Sequence, residues 1–292
     1  MVATVRDLSC FDALIWLRTG EKAALRLGLT QASISRTAQR VAQVFGLQLS
    51  KPDGEWAVSG NQELLNLQRG VHQRLRWDRD EPLRVEAQYY SGPLFFQSCA
   101  EGLVLGEFDF LEVHTPQALL RAGVIDAWLG CHPDVPEADP TLCCLPLTRL
   151  PVQLVVSHQH PLLRLGDGVA WSDLEAFPSL ALAEGAFPRI EAQLRALGLW
   201  SSPVRIQRYD TSRWEGMTAD ALTIAYATAF SMPLFPEPQV RLPLDPSMEV
   251  GDTLVVKRSF AEHPRCRALV EQLQCRAREL ARQHPELKLM FE

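Results

Sequence analysis

The sequence predicts an α/β protein that opens with a winged helix-turn-helix and a linker helix. Three observations carry this: two amphipathic helical patterns joined at a glycine over residues 19–45, an Asp-Gly hairpin signal just after them, and alternating β-rich and helical segments from Pro82 onward. Charge divides the same way. Residues 1–77 hold ten Lys/Arg against six Asp/Glu, whereas residues 78–292 hold nineteen against twenty-nine, for a total of −6. The basic part is the part with the helix pair, as binding to a phosphate backbone requires.

Residues 5–17, VRDLSCFDALIWL, place Leu8, Phe11 and Ile15 on one helical face, with Leu14 and Trp16 flanking, which predicts a supporting helix. Thr19 can cap the next helix, and Glu21 suits the positive end of its dipole. Gly28 stops that helix, because glycine enters the left-handed conformation after a helix without a steric penalty. Thr30 can cap the third. With Ile34 at the centre of the third helix's buried face, Ala38, Val41 and Phe45 fall beside it. Ala32, Arg36, Gln39 and Gln43 turn away, with Arg40 at the margin, and that face carries no carboxylate. In a helix-turn-helix the second helix enters the major groove, and Gln31, Ser33 and Arg36 occupy the positions that reach base edges. An ordinary surface helical hairpin fits the same pattern.

Next, GLQLSKPDGEWAVSG places Asp53-Gly54 between two short β-prone segments, the signal for a hairpin wing from which Lys51 can reach a phosphate. Ser59 and Gln62 fit a capping box, so a helix is expected to begin there and run through ELLNLQRGVHQRLRW. Leu64, Leu67 and Val71 follow coiled-coil spacing, with Leu65 and Leu75 widening the stripe. So short a helix needs a partner surface, either a second copy or its own domain.

The polar run from Trp77 to Pro82 marks a boundary. Beyond it PLRVEAQYY reads as a strand, LFFQSCAEGLVL as a helix, FDFLEV as a strand, PQALLRAG as a helix and IDAWLG as a third strand. The alternation continues from Leu145 and predicts a mostly parallel sheet covered on both faces.

Several classes of function find no support. There is no G-x-S-x-G elbow, no phosphate loop and no G-x-G-x-x-G turn, so an enzyme is not expected. The seven cysteines include no CxxC pair, and Cys266 and Cys275 lie nine residues apart in a helical segment, on opposite faces. His158 and His160 lack further ligands at zinc-site spacing, so neither metal nor cofactor is expected. Without a long apolar run or a signal-peptide core, the expected location is cytoplasmic, with no membrane partner.

Thr19-x-x-x-Ala23-Ala24-x-x-Leu27, followed by Thr30-Gln31-Ala32-Ser33-Ile34-Ser35-Arg36, resembles the N-terminal signature of LysR-type transcriptional regulators. More weakly, the resemblance extends over nearly the whole chain, through Ile125-Asp126, Pro151–Pro161 with HPLL, and Asp173-Leu174 with Phe177-Pro178. The family's first wing strand usually reads Leu-Phe-x-Arg; here Leu49 matches, while Ser50 and Lys51-Pro52 depart from it, which puts the wing's packing and DNA contact in question.

The resemblance implies double-stranded operator DNA as partner, met by Thr30, Gln31, Ala32, Ser33, Ser35, Arg36, Gln39, Arg40 and Lys51. It implies a homodimer or homotetramer paired through Leu64, Leu67, Val71 and Leu75. It also implies three regions: a winged helix-turn-helix at 1–60, a linker helix and hinge at 61–82, and an effector-binding region at 83–292. That last region would be similar to periplasmic solute-binding proteins, with one lobe from about 83–150 and 250–292, the other from about 151–249, and an interlobe cleft. Ligands in such folds sit beyond the carboxyl ends of strands, where Tyr90, Ser91, Thr115, Ser157, Asp210 and Thr211 fall. Those hydroxyls suit a small polar or anionic effector, though turn and capping roles fit them equally well. Phe95, Phe96, Phe108 and Phe110 fit either cleft or core. The expected function is thus a sequence-specific DNA-binding regulator controlled by a small molecule. The alternatives are a regulator that is constitutive or controlled by a protein partner, and, further off, an α/β enzyme.

Overall fold

Short-range chemistry sets the ends of the first three helices. The computed structural model describes residues 3–97, 101–183, 185–199, 202–204, 208–210 and 221–291. In it α1 spans Val5–Leu17, α2 Gly20–Leu27 and α3 Gln31–Phe45. A threonine caps each: the hydroxyls of Thr4, Thr19 and Thr30 accept from the backbone N–H of Asp7, Lys22 and Ser33. Gly28 and Gly46 end α2 and α3 at φ of 62° and 64°.

The chain divides into two compact units, one comprising residues 1–86, 100–107 and 118–127, the other residues 87–99, 108–117 and 128–292. In the first unit Leu8, Phe11, Leu14, Ala23, Ile34, Ala38 and Val41 form the core that packs α1, α2 and α3 together. The wing follows as β1 (Gln48–Ser50) and β2 (Ala57–Ser59), paired antiparallel with Leu49 opposite Val58. Asp53 and Gly54 turn it at φ of 50° and 83°. Leu49, Trp56 and Val58 pack on the helical core, and the Trp56 N–H donates to the Arg18 carbonyl at 2.8 Å. Trp56 and Val58 thus pack beside Leu49 while Ser50 is exposed.

Helix α4 spans Glu63–Asp78. The expected Ser59–Gln62 capping box does not form, because Ser59 is the last residue of β2, opposite Gln48. Asn61 Oδ1 instead accepts from the Glu63 N–H at 2.9 Å. Strands β3 (Leu83–Ala87) and β4 (Leu103–Leu105) then pair in parallel. Residues 103–105, read from sequence as the end of a helix, are therefore a strand, entered through Gly102 at φ 71°.

Buried ion pairs tie this unit together. Asp12, 1% exposed, accepts from Arg69 Nε of α4 at 2.8 Å and from Arg84 Nη1 of β3 at 3.2 Å. Arg76 makes a two-pronged contact with Asp126 at 2.7 and 2.9 Å. Trp16 Nε1 donates to Glu86 at 2.7 Å, and nearer the surface Lys22 and Arg26 both meet Glu107. Gly106 is required where it stands, since a Cβ there would come within 2.1 Å of Glu86 Oε2.

The chain continues with α5 (Gly92–Phe96), α6 (His114–Ala122), β5 (Ala127–His132), β6 (Leu142–Pro146), β7 (Thr148–Pro151), β8 (Gln153–Ser157), β9 (Leu180–Ala183) and α7 (Pro188–Ala196). After these come β10 (Ser202–Val204), β11 (Ala225–Ala227), β12 (Gln239–Arg241), β13 (Glu249–Lys257), α8 (Pro264–Gln283) and β14 (Lys288–Leu289). FDFLEV forms no strand: Phe108 takes a left-handed φ of 54°, and Phe110 makes one bridge, to Arg208.

Within the second unit the described pairings are mainly antiparallel. β13 pairs with β6 along one half and β7 along the other, β14 adds to β7, and β8 lies between β11 and β12. β9 and β10 pair in parallel, and Ser179 makes a parallel bridge to Ile224. The expected mostly parallel order does not describe these pairings: β6 and β7 follow one another along the single long strand β13, which runs against both, and β8 is flanked by two strands that run against it. Cys266 is buried on α8 while Cys275 is exposed, as their spacing predicts. Among the described residues no helix is long and apolar enough to cross a membrane.

Asp12→Ala is expected to leave two buried guanidiniums uncompensated and to lower stability by roughly 3–5 kcal/mol. Arg74→Ala, which removes an exposed pair with Asp78, should cost less than about 1 kcal/mol. Urea denaturation of the two variants measures both.

Candidate nucleic-acid interface and effector cavity

Helix α3 presents Gln31, Ala32, Arg36, Gln39 and Arg40 to solvent and half-buries Ser33 and Ser35. Thr30 is committed to the cap, where its hydroxyl also lies 2.9 Å from that of Ser33. Gly20 makes room for Gln31, whose Cγ would lie 2.8 Å from a Cβ at that position. Arg40 forms an ion pair with Asp7, so its charge is partly used within the unit. On the wing, exposed Lys51 holds its ammonium 5.9 Å from the centroid of the Trp56 ring. Gln31, Ala32, Arg36 and Gln39 thus share one helix with an open surface, and Lys51 stands on the adjoining hairpin.

Two faces of α4 differ sharply. Leu65, Arg69, Gln73, Arg76 and Trp77 are buried within the unit. Leu64, Leu67 and Val71 remain 68%, 66% and 61% exposed, and Leu75 is half-buried beside them. The stripe stands open on a helix whose other side is well packed.

The second unit contains a cavity with about 510 Å³ of empty space, part of it open to solvent. Its walls are Val152, Phe187, Ile190, Leu194, Ala227 and Val250, and its polar atoms come from Tyr89, Tyr90, Cys131, Tyr226, Thr228 and Ser231. Among the described residues no charged side chain lines it. Tyr89 is held by stacking on Tyr209, with ring centroids 4.0 Å apart and planes 16° from parallel, and by an edge contact with Tyr90. Thr228 and Ser231 brace a turn after β11: the Phe230 N–H donates to Thr228 Oγ1 at 3.2 Å, and the Thr228 N–H donates to Ser231 Oγ at 3.0 Å.

Beside the cavity is a buried polar group of unusual composition. Asp252, 1% exposed, accepts from Thr148 Oγ1 at 2.6 Å and has the Ser91 hydroxyl beside it. Burial pushes its carboxyl up to about 6, against the opposing pull of the Thr148 hydroxyl. Burial raises the Cys131 thiol to about 12 and lifts Tyr90 well above its ordinary value, with Asp252 adding to both. The hydroxyls of Tyr90 and Ser91 are shielded from solvent, Tyr90 beside the Cys131 thiol and Ser91 beside the Asp252 carboxyl.

Of the effector residues expected from sequence, Tyr90 lines this cavity and Ser91 lies buried next to it. Thr115 sits in the first turn of α6 with its N–H bonded to Glu112, and the Ser157 hydroxyl accepts from Gln159 N–H in a turn; neither lines the cavity. Asp210 is exposed, and Thr211 lies outside the described residues. His160 is explained by its own bonds, to the Leu162 N–H and the Leu222 carbonyl. Phe95, Phe96 and Phe110 are core residues. The aliphatic walls went unread because Val152, Ile190, Leu194 and Val250 have no signal that separates a cavity from a core; only the Thr228-x-x-Ser231 turn at a strand end was available.

Residues 107–278, more than half of the chain, match the model of the LysR substrate binding domain. The chain belongs to the LysR family of transcriptional regulators. Its fold is similar to that of full-length LysR-type structures. A variant of OxyR from Pseudomonas aeruginosa is 17% identical, covering 94% of this chain and 95% of that one, with a TM-score of 0.59. CbnR in complex with its target DNA is 18% identical, covering 94% and 99%, with a TM-score of 0.53. BenM is 19% identical, covering 97% and 98%, with a TM-score of 0.51. No curated protein matches the chain. The cavity residues from Cys131 to Val250 all fall inside the matched LysR segment.

Because Asp252 holds its proton more tightly folded than unfolded, its contribution to stability is full below 3.8 and is lost as pH rises through about 6. The shift from 3.8 to about 6 corresponds to roughly 3 kcal/mol. Stability of the native chain relative to Asp252→Asn is therefore expected to fall between pH 4 and 7 and to level off above that, as followed by chemical denaturation.

Proposed function

We propose that this LysR-type chain is a sequence-specific DNA-binding regulator whose affinity for operator DNA is set by a small molecule in the cavity of the second unit. The observation that carries the DNA-binding part is the solvent face of α3, where Gln31, Ala32, Arg36 and Gln39 stand together without a carboxylate. Gln and Arg there can pair with purine edges, Ala32 permits close approach, and Lys51 supplies a phosphate contact from the wing. The solved CbnR complex contains target DNA, which supports the same role for a chain of this fold.

Paired recognition helices require paired subunits, and the exposed Leu64, Leu67 and Val71 stripe of α4, with Leu75, is the surface we assign to that pairing. In this reading residues 1–60 bind DNA, 61–82 link and dimerise, and 83–292 bind the effector, with lobes of about 83–150 plus 250–292 and about 151–249. The cavity's lining supports the effector role, and its position beyond β11 agrees with where open α/β sheets bind ligands.

Binding of the purified protein to its own upstream intergenic DNA tests this. Arg36→Ala is expected to weaken specific binding about tenfold or more and to relax sequence preference. Lys51→Ala should weaken binding to all sequences alike and reduce the salt slope by about one. Saturable binding that ignores both sequence and Arg36 would refute the operator-binding role. Leu67→Asp should shift the protein toward monomer in sedimentation while leaving its helix content unchanged.

A further inference from the structure

We infer that the first unit carries a ligand site of its own, a cleft lined by α1, α4 and the β3–β4 pair that takes a small organic acid, an apolar body ending in one carboxylate. The inference does not depend on the cavity of the second unit. The cleft has about 760 Å³ of empty space, part of it open to solvent, and every residue that lines it belongs to the first unit. Sequence makes the room: Ser9, Ala13 and Leu17 follow one another at four-residue steps along α1, so two of the three levels of that face are small. Helix α4 contributes His72 and Arg76, one turn apart, and the register partners Arg84 and Val104 come from β3 and β4. Trp16, Leu27 and Pro82 add carbon surface.

Two observations select the head group. The lining carries three guanidiniums, those of Arg26, Arg76 and Arg84, against one carboxylate, that of exposed Glu81. Arg76 is committed to Asp126, and Arg84 gives Nη1 to Asp12 and Nη2 to the Ser9 hydroxyl, so these two favour an anion by charge. Arg26 donates through Nη2 to Glu107, and among the described residues its other nitrogens make no hydrogen bond. The second observation is His72, 9% exposed, whose imidazole lines the cleft and makes no hydrogen bond among the described residues. A buried polar ring is costly unless a partner reaches it. Burial lowers the pKa of His72, opposed by Asp12 and Glu81 and assisted by Arg76 and Arg84, so the ring is uncharged at neutral pH and has one N–H to donate. A carboxylate accepts that N–H in the field of the guanidiniums, while its hydrocarbon part covers Leu17, Leu27 and Val104. A cation would meet three like charges, and inorganic phosphate would leave the carbon surface to water.

The test titrates hexanoate and 3-phenylpropionate, beside their amides and inorganic phosphate, into the full-length protein by calorimetry and thermal shift. Both carboxylates are expected to raise Tm and to bind about tenfold or more tightly than the amides or phosphate. His72→Leu keeps the bulk of the ring and gives up no bond within the protein, so the Tm of the free protein should stay within a few degrees. Carboxylate binding to that variant should weaken about tenfold or more, as expected for a hydrogen bond to a charged group. Arg26→Gln should weaken it by a similar factor, and Ser231→Phe, which intrudes on the second-unit cavity, should leave it unchanged. Amides binding as well as the acids would overturn the anionic head, and phosphate binding as tightly would overturn the apolar body. Carboxylate binding that ignores both His72→Leu and Arg26→Gln, or that is lost in Ser231→Phe alone, would overturn the site. No binding by either acid up to millimolar concentration would overturn the proposal as a whole. Operator binding is decided separately, by the Arg36→Ala titration.

Discussion

Everything in the first unit is hung on α1, and α1 is fixed by the carboxylate of Asp12. The helix is buried almost all round: Leu8, Phe11 and Leu14 face the helix-turn-helix core, and Asp12 points into a place where two guanidiniums converge, one from α4 and one from β3. Ion pairs of this kind add little net stability, because taking the charges out of water costs about what their attraction returns. What they impose is a single arrangement. Any slip of α1 along α4 would strand Arg69 beside Phe11 without its partner, and any slip along β3 would part Trp16 from Glu86. Since α3 packs on α1 through Ile34, Ala38 and Val41, the direction of α3 follows that arrangement as well as the short turn at Gly28.

Helix α4 carries two commitments at once. Its polar and aromatic face is consumed inside the unit, with Arg76 on Asp126 and Gln73 on the Ile125 carbonyl. Its leucine and valine face is left to water, at an energetic cost of about 25 cal/mol for each Å² that burial would remove. A helix anchored so firmly on one side presents the other in a fixed orientation, which is what symmetric pairing needs if two recognition helices are to fall one turn of DNA apart.

The legible part of this chain was the part governed by neighbours in sequence. Threonine caps at 19 and 30, the glycine stop at 28, the Asp53-Gly54 turn and the exposed face of α3 all follow from interactions spanning four residues or fewer. Where long-range pairing decides, the residues were silent or misleading. Ser59 and Gln62 have the capping-box spacing, yet Ser59 belongs to the hairpin because Gln48 pairs with it. Leu103-Val104-Leu105 continues a helical pattern but pairs with Leu83, Arg84 and Val85. FDFLEV has strand composition, and the left-handed Phe108 breaks it. In the cavity, hydroxyls drew attention because they are chemically distinctive, although most of them support turns. Seven of the lining positions are aliphatic or phenylalanine or alanine side chains and cysteine, residue types that the core uses everywhere.

Regulation by a ligand requires more than a cavity. A small molecule shifts DNA affinity only by the difference between its affinities for the arrangements involved, and DNA must then change ligand affinity by the same factor. The chain supplies a short covalent connection for such a difference. Arg84 and Glu86 on β3 hold Asp12 and Trp16 of the DNA-binding helices, and Tyr89 and Tyr90, which line the cavity, follow three and four residues after Glu86. Both ends of this run are tightly specified: Glu86 sits in a space that only Gly106 leaves open, and Tyr89 is stacked on Tyr209. Were a ligand to change DNA affinity through this run, its differential binding energy would have to exceed what holds Glu86 and Tyr89 in place.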